Sequence, residues 1–148
     1  PYIGHNCYTT FPEFDLDFTY PSGVVMHVTN QGENGVQFEG ENGWIFVSRG
    51  TIRASDEKLI KDPLPYNAEQ LYVSNDHAGN FVDCIRSRKQ PICDAEIGHR
   101  SVSISHLSNI CLRLGGDKLE WDPKAERFTN SEAANAMMSR PARKPWRV

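Results

Sequence analysis

Residues Ser74 to Gly116, SNDHAGNFVDCIRSRKQPICDAEIGHRSVSISHLSNICLRLGG, decide how this chain is read. The stretch predicts two helices joined by a turn at Pro91. Asp76 or Ser74 is placed to cap the first, and Phe81, Val82 and Ile85 recur at helical spacing behind it. Arg86, Arg88 and Lys89 are expected in its last turn, where cations favour the helix dipole. Asp94 caps the second, with Glu96 in the first turn. Ile97, Ile104, Leu107, Cys111 and Leu114 then recur at spacings of three, four and seven, and Val102, Ile110 and Leu112 widen that face. A helix so patterned is expected to be largely buried. Gly115-Gly116 stop it after about 20 residues, or ~30 Å.

Upstream the pattern changes to a period of two. FDLDFTY, Phe14 to Tyr20, puts Phe14, Leu16, Phe18 and Tyr20 on one face and Asp15, Asp17 and Thr19 on the other, as a half-buried strand requires. Pro21-Ser22-Gly23 turns the chain into a return strand, Val24 to Thr29. After the loop Asn30 to Gly35, a third strand begins at Val36, and the Asn42-Gly43 pair opens a hairpin into a run from Trp44 to Arg53, with Gly50 marking a bulge or bend. Four strands in meander order predict an antiparallel sheet. Residues 56 to 73 carry two prolines and no period, and are read as a crossing loop. Downstream, Lys118 to Trp121 and Arg127 to Thr129 read as short strand pieces, and Thr129-x-x-Glu132 as a capping box opening a brief helix through Met138. The extended end, Pro141 to Val148, has Trp146 as its expected anchor. The predicted fold is α+β: one domain, 1–148, with an open, mostly antiparallel sheet covered on one face by two main helices.

A chain of 148 residues is long enough for a real core, and its net charge of −3 with pI near 6.0 argues against nucleic acid or an anionic membrane as partner. Arg140, Arg143, Lys144 and Arg147 gather at the C-terminus, interleaved with Pro141 and Pro145, and read as a surface strap. No apolar run reaches the roughly 18 residues of a membrane helix. The first residue is Pro1 rather than Met, as expected of an excised piece or a processed form. Cys7, Cys84, Cys93 and Cys111 show no CxxC spacing and no histidine partners at zinc-ligand spacing, and the two in helical patterns beside apolar neighbours are expected to be buried free thiols.

Chemistry is harder to locate. Neither GxGxxG nor GxxxxGK[ST] occurs, and the glycines and asparagines between residues 30 and 43 separate strands rather than open a helix. His99 and His106 stand seven residues apart on the long helix, ~10.5 Å, too far to chelate one ion together. His5, His27 and His77 each read as structural or surface residues. Gly98-His99-Arg100 breaks the pattern of its helix, because an interior glycine costs about 1 kcal/mol relative to alanine. Either Gly98 lets the helix lie close to the sheet, or His99 and Arg100 line a cleft and bind an anionic or hydroxylated ligand.

Three segments carry a resemblance: NFVDCIRSRKQPICDAEIGHRSVSISHLSNICLRLG (Asn80 to Gly115), LEWDPKAERF (Leu119 to Phe128) and SRPARKPWRV (Ser139 to Val148). In their order and spacing they resemble the C-terminal domain of the bacterial Gfo/Idh/MocA oxidoreductases, the family of glucose–fructose oxidoreductase and inositol dehydrogenase. The strand half, with GVQFEGENGWIFV, is similar but less distinctive. The resemblance implies a two-part parent, with an N-terminal Rossmann domain, absent here, that holds NAD or NADP. The second part then shapes a sugar or polyol site and forms a homo-oligomer through its sheet face. The family's catalytic lysine and acid–base pair match no stretch of this chain, so no catalytic, cofactor or metal residue is carried over. His99 and Arg100 remain the substrate-binding candidates. On this reading the fragment is inactive alone. The rival readings are the same domain from an NAD-dependent glycoside hydrolase or lyase, and a stand-alone dimerising module. Members resemble both cytoplasmic and exported types, which leaves the compartment open.

Overall fold

The computed structural model describes residues 10–145. The chain divides into two compact units, Pro1–Val73 and Ser74–Val148, the first built of strands and the second chiefly of helices. Its class is α+β, and every ladder in it is antiparallel.

In the first unit, β1 (Asp15–Thr19) pairs with β2 (Val25–Thr29). Leu16, Phe18, Met26 and Val28 are half-buried on one face, while Asp15, Asp17 and His27 stand exposed on the other. Gly23 closes the turn at φ +88°, donating its N–H to Tyr20 O at 2.9 Å. Such a backbone is open to glycine at little cost.

The expected four-strand meander is not formed. A separate three-stranded sheet contains β3 (Val36–Gly40), β4 (Gly43–Ser48) and β5 (Thr51–Ala54). Residues 30–35 are spent closing each piece instead of joining them. Asn30 accepts from Phe14 N (3.1 Å) and donates to Pro12 O (2.6 Å), while Asn34 O accepts from Ser48 Oγ (2.7 Å) and Glu33 pairs with Arg53 (2.6 Å). The Trp44–Arg53 run, read as one strand, is two. Gly50 at φ +73° reverses the chain rather than bending it, and Ser48 pairs with Thr51 across the turn. Asn42-Gly43 is also not the turn centre: Gly40 pairs with Gly43, so the loop is Glu41-Asn42 and Gly43 follows it at φ +132°.

Phe46 is the buried residue of this sheet. Its ring lies against the Gly35 backbone, where an added Cβ would meet the ring and, at 2.7 Å, the Val47 carbonyl; Arg53 lies 4.6 Å over the ring centroid. Val36, Val47 and Ile52 form a cross-strand row on the opposite face, joined by Phe38, and all four are exposed. Within the expected crossing loop a short helix, α1 (Lys58–Lys61), forms.

In the second unit, α2 (His77–Ser87) is capped by Asp76, which accepts from Gly79 N at 2.9 Å. It stops before Pro91: Arg88 is left-handed at φ 58°, so Arg88 and Lys89 lie outside the helix and only Arg86 meets its C-terminal end. α3 (Ala95–Arg113) is capped by Asp94, which accepts from Ile97 N at 2.8 Å. Gly116 N donates to Cys111 O (3.0 Å) and Gly115 N to Leu112 O (3.1 Å), the paired bonds of a Schellman stop, with both glycines at positive φ.

α3 is not largely buried. Ile110 is its one buried residue, and Ile97 and Val102 are about half exposed. The core gathers at its C-terminal half, where Ile110 meets Phe128 and Ala134, with Leu107, Leu114, Leu119 and Trp121 around them. β6 (Trp121–Asp122) and β7 (Arg127–Phe128) supply two of these aromatics, edge to face at 5.2 Å. α4 (Glu132–Ala136) is capped by Ser131, not by Thr129, whose hydroxyl is turned to Glu120 O. Asn135 on α4 accepts from Phe128 N (2.8 Å) and donates to Phe128 O (2.9 Å), acting as a third strand for β7. Trp146, His5 and Cys7 lie outside the described residues.

Candidate functional site

The N-terminal half of α3, free of the core, is where the two candidate residues stand. His99 Nε2 lies 2.7 Å from Glu126 Oε1, in the turn between β6 and β7. Arg100 reaches the same turn: Nη1 donates to Pro123 O at 2.8 Å and lies 3.4 Å from Glu126 Oε1, while Nε donates to Glu96 Oε1 one helical turn back at 2.8 Å. The structure therefore brings His99 and Arg100 together on one carboxylate.

The turn is built to present that carboxylate. Asp122 Oδ1 accepts from Lys124 N (2.8 Å) and Ala125 N (3.0 Å), which curls the chain and holds the Asp122 carboxyl below its usual range, the Ala125 bond first. Glu126 then takes φ 50°, a left-handed backbone uncommon for a residue with a side chain. Its own carboxyl is held below the usual value, chiefly by the His99 hydrogen bond and then by the nearby charges of His99 and Arg100. The site is half-exposed, so these pairs act in a largely aqueous dielectric.

Gly98 is open to two readings, close packing on the sheet or a cleft lined by its neighbours. A Cβ built on it meets no atom within 4 Å, so no close packing inside the second unit accounts for it. Sequence reasoning missed Glu126 altogether. It lies 27 residues from His99, and nothing in WDPKAERF announces a left-handed glutamate. The Asp122-Pro123 pair was the signal available, because it marks the turn.

Other chemistry is sparse. A shallow depression of about 210 Å³ beside α2 is lined by His77, Asn80, Phe81, Pro91 and Cys93. Cys93 is exposed there; of the two helical cysteines expected to be buried, Cys84 is buried and Cys111 half-buried, its thiol pushed up by burial. His27 sits between Asp17 (2.7 Å) and Asp15 (3.4 Å) on the wet face of β1–β2. Among the described residues no group of three or more His, Cys, Asp or Glu is disposed to hold a metal ion, and no helix is long and apolar enough to cross a membrane.

A dinucleotide does not fit these residues. Its pyrophosphate needs bare N–H groups at a helix N-terminus, and at the ends of α2 and α3 the carboxylates of Asp76 and Asp94 accept from Gly79 N and Ile97 N and set a like charge where the anion would sit.

The family model described as oxidoreductase family, C-terminal alpha/beta domain, that of the Gfo/Idh/MocA oxidoreductases, matches residues 5–148. The chain belongs to this family. Its fold, antiparallel sheets with helices, agrees with that membership. No curated protein and no solved structure matches the chain. The Gfo/Idh/MocA C-terminal domain is thus the frame in which its exposed His99–Glu126–Arg100 cluster is to be understood.

Proposed function

We propose that residues 1–148 act as one C-terminal domain of an NAD(P)-dependent sugar or polyol oxidoreductase, forming a wall of the substrate site and a subunit contact, and are inactive alone. The observation that carries this reading is the family match across 5–148. The capped helix N-termini support it from the physical side, because they leave the nucleotide to a separate N-terminal Rossmann domain. The substrate side is assigned to His99 and Arg100, which present hydrogen-bonding groups suited to hydroxyls. Subunit contact is assigned to the apolar row Val36, Val47, Ile52 with Phe38, since a contiguous exposed patch of this kind marks interaction surfaces.

Reconstitution tests the reading. The chain is mixed or fused with a nucleotide-binding N-terminal domain of the family and assayed for polyol-dependent NAD(P)H formation. Activity is expected from the pair and from neither part alone. Turnover by this chain alone, or by the nucleotide domain alone at the rate of the pair, overturns it.

A further inference from the structure

We infer that Glu126 is a positioning residue, which holds His99 as the Nε2–H tautomer so that Nδ1 accepts a hydrogen bond from a hydroxyl of the bound ligand. The inference rests on the reading that His99 faces substrate, and it deepens that reading by naming the group that sets up His99 and the chemistry that His99 offers.

A neutral imidazole has one N–H and one lone pair, and the hydrogen bond made at one nitrogen decides which is which. Glu126, its carboxyl held ionised, only accepts, so the Nε2 that lies 2.7 Å away carries the proton. Nδ1 is left with the lone pair, and among the described residues it has no partner. Arg100 is shared between Glu96 Oε1 at 2.8 Å and Glu126 Oε1 at 3.4 Å, so one cation faces two carboxylates and the cluster presents an acceptor rather than a site for an anion. Neutral hydroxyl donors suit it better than carboxylates or phosphates.

Two further features point to a ligand rather than to packing. Glu126 adopts φ 50° although a glycine would sit there without strain, so its side chain has a use that outweighs the backbone cost. Gly98, next to His99, leaves open space where any other residue would place a Cβ and strengthen the helix. Both choices work against local stability, and both keep the surroundings of His99 open and oriented.

The test uses the 148-residue chain, with sorbitol as the neutral polyol probe and the His99 ring-nitrogen chemical shifts as readout. Glu126→Gly removes the carboxylate while relieving the positive φ, so the fold is retained, as circular dichroism checks. Glu126→Gln keeps an accepting oxygen. The wild type is expected to show the Nε2–H tautomer and saturable sorbitol shifts at Nδ1. Glu126→Gly is expected to mix the tautomers and weaken sorbitol binding on the order of five- to tenfold, the loss of about one hydrogen bond, with Glu126→Gln restoring most of it. Equal binding and an unchanged tautomer in Glu126→Gly overturn the role of Glu126 while leaving the substrate-side reading intact. Absence of any sorbitol effect at His99 in the wild type overturns both.

Discussion

At the scale of single residues, the chain is most informative where a side chain serves the backbone. Asn135 satisfies both backbone groups of Phe128, the most buried aromatic of the second unit. Asn135→Ala leaves that N–H and carbonyl without their partners, and thermal or urea unfolding is expected to register a loss of about 1–3 kcal/mol. Gly98 predicts the opposite sign. With nothing within 4 Å of the added methyl, Gly98→Ala is expected to stabilise the chain by about 1 kcal/mol in the same measurement. Glu126 links stability to pH. Its folded carboxyl lies below the ordinary value of 4.5, so its contribution is intact above that value and is lost as pH falls through the depressed folded value. Acid titration of the melting temperature should therefore show a steeper fall below pH 4.5 for the wild type than for Glu126→Gln. The caps Asp76 and Asp94 were legible in the sequence because an N-cap acts on a backbone N–H three residues away. Glu126 and Asn135 were not, because each is defined by a contact that only the folded chain creates.

At the scale of elements, the hairpins account for what periodicity could and could not reveal. The alternation of FDLDFTY placed β1 and its wet face correctly, since a period of two needs no tertiary information. It could not show that β4 and β5 are separate, because Gly50 is compatible with a bulge or a reversal, and pairing of Ser48 with Thr51 decides between them. The breadth of α3 misled in the other direction. Its apolar residues run the full length of the helix, yet the core collects only against its C-terminal half, around Phe128 and Ala134. Two outcomes belong to this scale. Gly35→Ala drives a methyl into Phe46 and the rigid Val47 carbonyl, so it is expected to loosen the β3–β5 sheet, with faster amide exchange there than in β1–β2. In β1–β2, His27 lies between Asp17 and Asp15, and the Asp17 hydrogen bond, with both carboxylate charges, raises its pKa above the ordinary 6.5. That stabilisation is complete below pH 6.5 and is lost as pH rises through the raised value, so hairpin protection should weaken toward alkaline pH in the wild type and not in Asp17→Asn. Salt should diminish the effect, since the pair is exposed.

At the scale of the whole molecule, two levels of information met. Physical reading of pattern reached an α+β chain, and the ordered segments from Asn80 to Val148 reached the family to which residues 5–148 belong. Neither reaches the reaction, because a shared fold hosts several chemistries. Subunit contact through the three-stranded sheet predicts that Ile52→Lys, which sets a charge at the β5 end of the exposed Val36–Val47–Ile52 row, shifts sedimenting species from oligomer to monomer without unfolding the chain. The account as a whole turns on where the nucleotide binds. Calorimetric titration of the 148-residue chain with NADH and NADPH tests this most directly: the account predicts no saturable heat with either, and stoichiometric binding of either at micromolar affinity would contradict it.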